Sequence, residues 1–405
     1  MTSENVGRVA TERRSGSGPR IALTTYSVKP RGGVVHTLEL AEALADLGAD
    51  VTVIAMGDPD VGFFREVGVP THIVQAPSGG RTLDERVPLW IAAMAEGLES
   101  MRDDFDIVHS QDCISARAAA RVRDGQIRRG ETAFELIRTV HHVDDFTTQS
   151  LMDCQKRAIL EPDRVLVVSQ IWRRLLQADY GVDAEVVANG VRADRFARPI
   201  SAERRAELRS RVGATDRFLF LTIGGIEPRK GSTFLVDALG RHNAAGHDAV
   251  LAVIGGHSFQ DYRPYRESVF DSLATHGVRL DEDLYLLGTV DDDELPDWFQ
   301  AADAFVFPSL KEGWGLVVLE AMGAGLPVLT SDIEVFHEFL EHGVSALMTA
   351  VGDAASIADG MALLQNDRDL VRRLASNGVL VATQYSWEAS ARQHLEMYQA
   401  GVRAV

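Results

Sequence analysis

The chain has 405 residues, of which 45% are hydrophobic and 25% are charged. This composition is that of an ordinary globular protein and excludes a disordered, collagenous or disulfide-stapled chain. Because a single hydrophobic core stops growing near ~250–300 residues, the length predicts two domains. The 41 Lys and Arg residues against 59 Asp and Glu residues give a net charge of −18, which argues against nucleic acid or an anionic bilayer as a partner. An anionic ligand therefore needs a local cationic site.

The cysteine content and the N-terminal segment bear on where the protein works. Cys113 and Cys154 are the two cysteines, and their spacing fits neither a disulfide framework nor a zinc site. This indicates a reduced, cytoplasmic setting, with peripheral contact with a membrane left open. No stretch approaches the ~18 consecutive apolar residues of a membrane span, so no integral membrane segment is expected. Residues 1–19 lack the apolar core of a signal peptide and are expected to form a disordered leader.

From Arg20 onward, short apolar runs alternate with longer amphipathic ones. The run after Gly33 places apolar residues at helical spacing and ends at Gly48, which predicts a helix. The apolar runs are continuous and not alternating, as in strands that are buried on both faces of a parallel sheet. The first half is therefore predicted to be a doubly wound α/β domain over residues 20–197. Its predicted strands cover residues 21–26, 51–56, 72–75, 106–110, 135–140 and 164–169.

A polar, arginine-rich segment near residues 192–216 interrupts this rhythm and predicts a domain boundary. The α/β alternation then restarts and predicts a second doubly wound domain over residues 198–385, followed by an amphipathic helix over residues 386–405. Two such domains in tandem give an α/β architecture. The predicted strands of the second half cover residues 218–225, 249–256, 284–290, 304–309, 326–331 and 345–349.

In open parallel sheets, ligands bind at the carboxyl ends of the strands, so the loops there are the candidate site. The loop SVKPRGG, residues 27–33, joins the first strand to the first helix. Gly32 and Gly33 allow a close approach of backbone to ligand, and the helix N-terminus offers N–H groups for a phosphate. The loop is neither GxGxxG nor a Walker loop, so an ordinary tight turn is the alternative.

A second candidate loop, TIGGIEPRKG, follows the first strand of the second domain. Arg229 and Lys230 are adjacent cations just before a helix that is predicted to begin near Ser232. Cations at a helix N-terminus oppose the helix dipole unless an anion lies between them. This placement favours a diphosphate site over the alternative of a solvated charge pair.

The third and most specific segment is PSLKEGWGLVVLEAMGAGLPVLTSD. Glu312 follows a strand, and a helix beginning near Leu316 carries Glu320, which gives an E-x7-E spacing. Glu320 is suited to hydrogen bonds from a ribose diol and Glu312 to a sugar hydroxyl, while the backbone N–H groups of Gly315 and Leu316 face a phosphate. Two solvated surface glutamates are the alternative, which the glycines of the segment disfavour.

These segments together resemble a family of glycosyltransferases. EGWGLVVLEAMGAGLPV is similar, nearly letter for letter, to the EGFGLxxLEAMAxGxPV segment of retaining GT-B glycosyltransferases of family 4, also called glycosyl transferases group 1. GGIEPRKG, ANGV, LLGTVDDDELPDWFQAADAFVFPS and YSWE support the resemblance, which runs from about Ile21 to the terminal helix. It implies two Rossmann-like domains that face each other across a cleft. Residues 20–197 then form the acceptor domain, on which helix 386–405 packs back, and residues 198–385 form the donor domain.

The resemblance also implies roles for the donor-binding residues. Gly33 and the helix behind it would face the donor diphosphate, and Arg229 and Lys230 would neutralise the leaving group. Glu320 would hold the ribose and Glu312 the transferred sugar. The family commonly has an arginine directly after the strand-end glycine, where this chain has glycine (residue 225), and this departure places donor affinity in doubt.

Further positions follow from the resemblance on the acceptor side and at the base. Gly288 and Val290 would pack their backbone against the nucleotide base. His141 matches the histidine that such enzymes place beside the donor sugar, which makes it a catalytic candidate with Glu312, Lys230 and Arg229. His109 and Asp112 lie where acceptor contacts are usual.

The implied activity is transfer of a hexose from a nucleoside-diphosphate sugar of UDP, GDP or ADP type to an acceptor hydroxyl, with retention of anomeric configuration. The acceptor is a small molecule, a lipid or a glycan. No metal cofactor is expected, although the sequence near His142, Asp144 and Asp145 leaves metal ligation as an alternative. A nucleotide-sugar-binding protein with weak or no catalysis is the rival from another class. A nicotinamide dehydrogenase is disfavoured because no strand–GxGxxG–helix unit occurs in the first domain.

Overall fold

The computed structural model describes residues 18–256 and 262–402. The predicted leader lies outside these residues except for its last two positions, and so does the end of the predicted terminal helix beyond residue 402.

The first domain contains a sheet of seven parallel strands whose order is 3-2-1-4-5-6-7. Residues of the central strands are buried on both faces: all four residues of the fourth strand, for example, are buried. This is the arrangement that continuous apolar runs predict. The strands are β1 Arg20–Thr25, β2 Asp50–Gly57, β3 Thr71–Gln75, β4 Ile107–Ser110, β5 Glu135–Val140, β6 Arg164–Val167 and β7 Glu185–Val186.

Helices cover both faces of this sheet. Three of them begin at residues that can cap a helix N-terminus, since the side chains of Thr82, Asp112 and Ser169 each accept a hydrogen bond from a backbone N–H of the first turn. The helices are α1 Gly32–Asp46, α2 Leu83–Glu99, α3 Cys113–Arg128, α4 Gln149–Leu160 and α5 Gln170–Tyr180.

The second domain contains six parallel strands in the corresponding order, 10-9-8-11-12-13. In each sheet the order reverses beside its first strand, which opens a crevice at the carboxyl edge. The predicted fold class, two doubly wound α/β domains, is confirmed. The strands are β8 Phe218–Ile223, β9 Ala249–Ile254, β10 Leu284–Gly288, β11 Ala304–Phe307, β12 Val328–Ser331 and β13 Leu347–Thr349.

The remaining helices belong mainly to the second domain. They are α6 Ala193–Phe196, α7 Ala202–Arg211, α8 Ser232–Ala244, α9 Arg263–Ser272, α10 Leu295–Ala301, α11 Leu316–Gly323, α12 Ala354–Asn366, α13 Arg368–Gln384 and α14 Trp387–Val402. The last helix returns to the first domain, where it packs on α1. Trp387, Ala391 and Tyr398 are buried there in one cluster with Ile21 and Leu38.

Several predicted strands end earlier in the structure than in the sequence pattern. The predicted strand 164–169 stops at Val167, because Ser169 already caps α5. The predicted strand 218–225 stops at Ile223, and Gly224 has a φ of +134° that ends the extended backbone. Because these strands end early, the residues that follow them belong to the loops at the carboxyl edge of each sheet.

We expect Gly190→Ala to destabilise the packing of α14. A Cβ on Gly190 would lie 2.2 Å from the Trp387 amide nitrogen, and backbone cannot yield as a flexible side chain can. The free energy of unfolding should fall by about 1–3 kcal/mol, measured by chemical denaturation. Gly68→Ala is the control, since its Cβ would lie 3.8 Å from the nearest atom and should change stability by less than about 0.5 kcal/mol. Equal effects of the two substitutions would contradict this account.

Candidate active site

The two domains meet where the carboxyl ends of their sheets face each other. His141 follows β5 of the first sheet, and residues 311–313 lie in the loop after β11 of the second sheet. A Cβ on Gly313 would lie 2.0 Å from the His141 carbonyl oxygen, so only glycine permits this approach of the two backbones. The predicted loop at Gly33 joins the same place, because its Cβ position is 3.9 Å from the His141 ring. The α1 N-terminus, which begins at Gly32, therefore borders this junction.

Three of the predicted catalytic side chains form one cluster in the second domain. Lys230 Nζ donates a hydrogen bond of 2.6 Å to Glu312 Oε1, and Arg229 donates one of 3.2 Å to the same oxygen. Arg229 also pairs with Glu227 at 3.5 Å. The Glu312 side chain is only 8% exposed and that of Lys230 15% exposed. The cations and the Glu312 carboxylate are paired and largely buried. Arg229 and Lys230 are therefore not a solvated charge pair, and Glu312 is not a solvated surface glutamate.

Burial and charge compete in this cluster. Burial lowers the pKa of the Lys230 amine to about 8, against the opposing effect of Glu312. Burial raises the pKa of the Glu312 carboxyl, but the charges of Lys230 and Arg229 outweigh it and leave the pKa below its ordinary value. The pKa of Arg229 is raised, because Glu312 and Glu227 together outweigh its burial. At neutral pH Lys230, Arg229 and Glu312 therefore all carry their charges.

The backbone at the ends of β8, β9 and β10 comes close together, and the Cβ position of Gly224 there is 3.1 Å from the Lys230 side chain. The Gly255 N–H donates to the Gly288 carbonyl at 2.8 Å, and the predicted base-contacting residue Val290 follows in a half-buried position. A Cβ on Gly225 would lie 2.5 Å from the Gly256 carbonyl oxygen. This close approach excludes the arginine that the family commonly has at this position, and Arg229 brings a guanidinium to Glu312 from four residues further on.

The second carboxylate of the E-x7-E pattern lies on α11. This helix begins at Leu316 after Gly315, whose φ is +98°. Burial raises the pKa of Glu320 to about 7, with Arg195 opposing and Glu39 of the first domain adding to the rise. Near neutral pH, both the protonated and the ionised form are therefore populated, so the carboxyl group can accept or donate hydrogen bonds to a diol.

His141 is held by two residues that the sequence reasoning did not single out. Its Nε2 lies 3.2 Å from Gln111 Oε1, and its ring meets that of His36 edge-on at 4.6 Å. His36 Nδ1 is in turn 2.9 Å from Asn189 Oδ1. Burial lowers the pKa of His141 well below its ordinary value, so the ring is neutral. The assignment that satisfies Gln111 puts the His141 proton on Nε2 and leaves the Nδ1 lone pair free to accept.

The two residues expected to contact the acceptor form hydrogen bonds within the first domain and with helix α14. His109 is fully buried, with Nδ1 2.7 Å from the Tyr398 hydroxyl of α14 and Nε2 2.7 Å from Thr139 Oγ1. Asp112 caps α3 and accepts hydrogen bonds from the backbone N–H groups of Ser115 and Tyr26 at 2.8 and 2.7 Å. Both side chains are thus engaged within the fold. His109 offers no surface to an acceptor, which corrects the expected contact.

The residues of the metal alternative are paired with other side chains. His142 Nε2 lies 3.2 Å from Asp144 Oδ1, and Asp145 accepts a hydrogen bond of 2.9 Å from Lys311 of the second domain. Within residues 18–256 and 262–402, no group of three or more His, Cys, Asp or Glu side chains is arranged to hold a metal ion. No helix of this described part is long and apolar enough to cross a membrane.

Two Rossmann-like domains that face each other, with a cation–carboxylate cluster of the second domain beside their junction, are the plan of a GT-B sugar-transferring enzyme. Two family models match successive parts of the chain, Glycosyltransferase Family 4 over residues 30–195 and Glycosyl transferases group 1 over residues 204–381. The chain belongs to this family of GT-B glycosyltransferases, which confirms the resemblance seen in the sequence.

Relatives of known name cover nearly the whole chain. A phosphatidyl-myo-inositol mannosyltransferase of Mycobacterium leprae is 29% identical, over 92% of this chain and 94% of its own length. A D-inositol 3-phosphate glycosyltransferase of Xylanimonas cellulosilytica is 26% identical, over 94% and 96% of the two chains. The crystal structure of Anabaena HepE with UDP and glucose has the same fold, with a TM-score of 0.75 at 20% identity over 94% and 99% of the two chains.

We expect Gln111→Glu to raise the pKa of His141. A carboxylate at 3.2 Å from Nε2 would favour the imidazolium, whereas the neutral amide leaves burial dominant. A rise of about 1–3 pH units is expected and is measurable by NMR titration of the histidine ring signals. His141→Gln assigns the signal, and Gln111→Leu is the matched control, which should leave the ring neutral. An unchanged titration in Gln111→Glu would show that the two side chains are not in contact.

Proposed function

We propose that this enzyme transfers a hexose from a nucleoside-diphosphate sugar to an acceptor hydroxyl with retention of anomeric configuration. The observation that carries the proposal is the cluster of Lys230, Arg229 and Glu312, which lies beside His141 of the other domain. The UDP and glucose in HepE, a protein of the same fold, support a nucleotide-sugar donor.

The cluster suits the charges that develop when the donor reacts. The bond between the anomeric carbon and the diphosphate oxygen breaks, and negative charge builds on the departing phosphate. Lys230, Arg229 and the backbone N–H groups at the start of α11 stabilise that charge, since preorganised donors act most strongly in a site shielded from water. These basic groups take the role that a metal ion has in other transferases, so the reaction needs no metal.

Glu312 changes partners during donor binding. In the structure its Oε1 accepts hydrogen bonds from both cations. A diphosphate that binds Lys230 and Arg229 competes for the same hydrogen bonds, and the released carboxylate is then available to a hydroxyl of the transferred sugar. The Nδ1 lone pair of His141 accepts a second sugar hydroxyl from the opposite side of the cleft.

Retention follows from attack on the face that the diphosphate leaves. A double displacement needs a carboxylate nucleophile, but in the donor complex Glu312 is engaged with a hydroxyl of the transferred sugar and Glu320 with the ribose. The acceptor oxygen therefore bonds to the anomeric carbon on the leaving-group side, and its proton passes to the departing phosphate oxygen. The relatives are named for phosphatidyl-myo-inositol and for D-inositol 3-phosphate, so an acceptor panel begins with these two compounds.

The function is tested with a panel of UDP-, GDP- and ADP-sugars. One donor at saturating excess should raise the stability of the folded protein by roughly 2–4 kcal/mol in a thermal-shift measurement. NMR of the transfer product should show the anomeric configuration of the donor. The opposite anomer would overturn retention, and binding without transfer to any acceptor would favour the nucleotide-sugar-binding protein. Lys230→Met should abolish the shift, whereas Lys156→Met, an exposed position on α4, should preserve it.

The affinity for the nucleoside diphosphate should fall as the pH rises through about 8. The pKa of Lys230 is about 8, so its ammonium is present below that pH and is lost above it. Calorimetry at pH 7 and pH 9.5 should show about tenfold weaker binding at the higher pH. Lys230→Arg should bind with nearly the same affinity at both, since a guanidinium does not titrate in this range. A wild-type affinity that does not change with pH would contradict the role of the lysine.

A further inference from the structure

The loop that carries Glu312 is held by the first domain as well as by its own. The Trp172 indole Nε1 donates a hydrogen bond of 3.1 Å to the Glu312 carbonyl oxygen, across the domain junction. Trp172 is 4% exposed and packs in a cluster of the first domain with Val140 and Leu176. Its ring is therefore fixed by that domain, and its N–H group reaches the other.

Contacts on both sides of this hydrogen bond seat the same loop. Lys311 Nζ bonds to Asp145 at 2.9 Å and lies 5.9 Å from the centre of the Trp172 ring. Gly313 lies directly against the His141 carbonyl, as the 2.0 Å approach of its Cβ position shows. Three consecutive residues of the donor loop thus contact the first domain.

The helix that carries Trp172 is itself attached to the second domain. Glu338 accepts hydrogen bonds from the N–H groups of Gln170 and Ile171 at 2.9 and 3.0 Å. These N–H groups are at the start of α5, where free donors and the positive end of the helix dipole favour a carboxylate. Glu338 therefore fixes the first turn of α5, and Trp172 in that turn, relative to the donor domain.

We propose that Trp172 is a positioning residue that aligns Glu312 only when the domains are closed as they are here. The inference rests on the proposed function, in which Glu312 contacts the donor. Trp172 holds the Glu312 backbone and leaves its carboxylate free to pass from the cations to the sugar. Opening of the cleft breaks this hydrogen bond, so the carboxylate is aligned for reaction only after water has been excluded.

Trp172→Phe tests the proposal because it keeps an aromatic ring and removes the N–H donor. The transfer kcat should fall about threefold to tenfold, the range expected for one hydrogen bond, while the donor KM changes less than about twofold. The ratio of donor hydrolysis to transfer should rise. Trp298→Phe is the matched control, since Trp298 is fully buried and its indole nitrogen has no partner within the described residues. It should lower thermal stability without changing kcat or that ratio.

A double-mutant cycle with Glu312→Gln separates positioning from packing. If Trp172 acts through Glu312, its substitution should have a smaller effect on kcat in the Glu312→Gln background than in the wild type. Fully additive effects would overturn the proposal, and so would an unchanged kcat in Trp172→Phe. Glu338→Gln, which weakens the same attachment without altering the core, should lower kcat in the same direction and serves if Trp172→Phe fails to fold.

The role of Trp172 can be tested separately from the sugar-transfer activity. If the wild-type enzyme transfers sugar from no donor, the function is wrong, and the contact is then tested by solution scattering without ligand. Trp172→Phe should have a larger radius of gyration than the wild type, and Trp298→Phe should not. Equal radii for Trp172→Phe and the wild type would overturn the role of Trp172 independently of any activity.

Discussion

The carboxylate of Glu312 is the group on which the rest of the site depends. One of its oxygens binds both Lys230 and Arg229, and its side chain is nearly excluded from water. A buried charge is tolerated only when it is paired, so each member of the cluster requires the others. The pairing keeps Lys230 protonated at neutral pH in spite of its burial. It also joins two loops that are separated by more than eighty residues along the chain.

The site combines residues of two domains, which explains why the chain is longer than a single domain. The cations lie in the second domain, whereas His141 lies at the end of a strand in the first, and Gly313 and Trp172 join the two sides. The junction is therefore bordered by groups from both domains. Helix α14 contributes to this arrangement, because it continues from the second domain and is buried on α1 of the first.

The sequence predicted the features that rest on local patterns. Apolar runs predicted the strands and both sheets, and the unusual residues around Glu312 singled out the loop that carries the buried charge cluster. The sequence did not predict contacts between residues far apart in the chain. The family resemblance assigns His109 to the acceptor, yet the hydroxyl of Tyr398, 289 residues further on, is bonded to its buried ring. Gln111 directly follows β4, and only the fold shows that its side-chain amide faces His141.

The same limit explains why Trp172 escaped notice. Within its own helix it resembles any apolar residue that faces a core, and its indole N–H has a role only once the second domain is in place. At Gly225 the family pattern predicts an arginine for a related reason, since the Gly256 carbonyl that a side chain there would meet lies in the loop after the neighbouring strand β9. The glycine at position 225, which departs from the family pattern, is thus explained by the neighbouring backbone.

The protein has a net charge of −18, yet the donor of the proposed function is an anion. The composition of the cluster explains how such a ligand can still bind. Arg229 and Lys230 face Glu227 and Glu312, so the four formal charges cancel before a ligand arrives. A diphosphate gains little from long-range attraction to such a site and must compete with Glu312 for its hydrogen bonds. Under the proposed function this exchange is useful, because the carboxylate that the phosphate displaces is the one that contacts the sugar. Free phosphate can occupy the cations but offers Glu312 no sugar hydroxyl, so a complete donor satisfies more of the buried groups. Under the proposed function, selectivity for a nucleotide sugar therefore comes from Glu312, whose buried carboxylate needs a partner both with and without the donor.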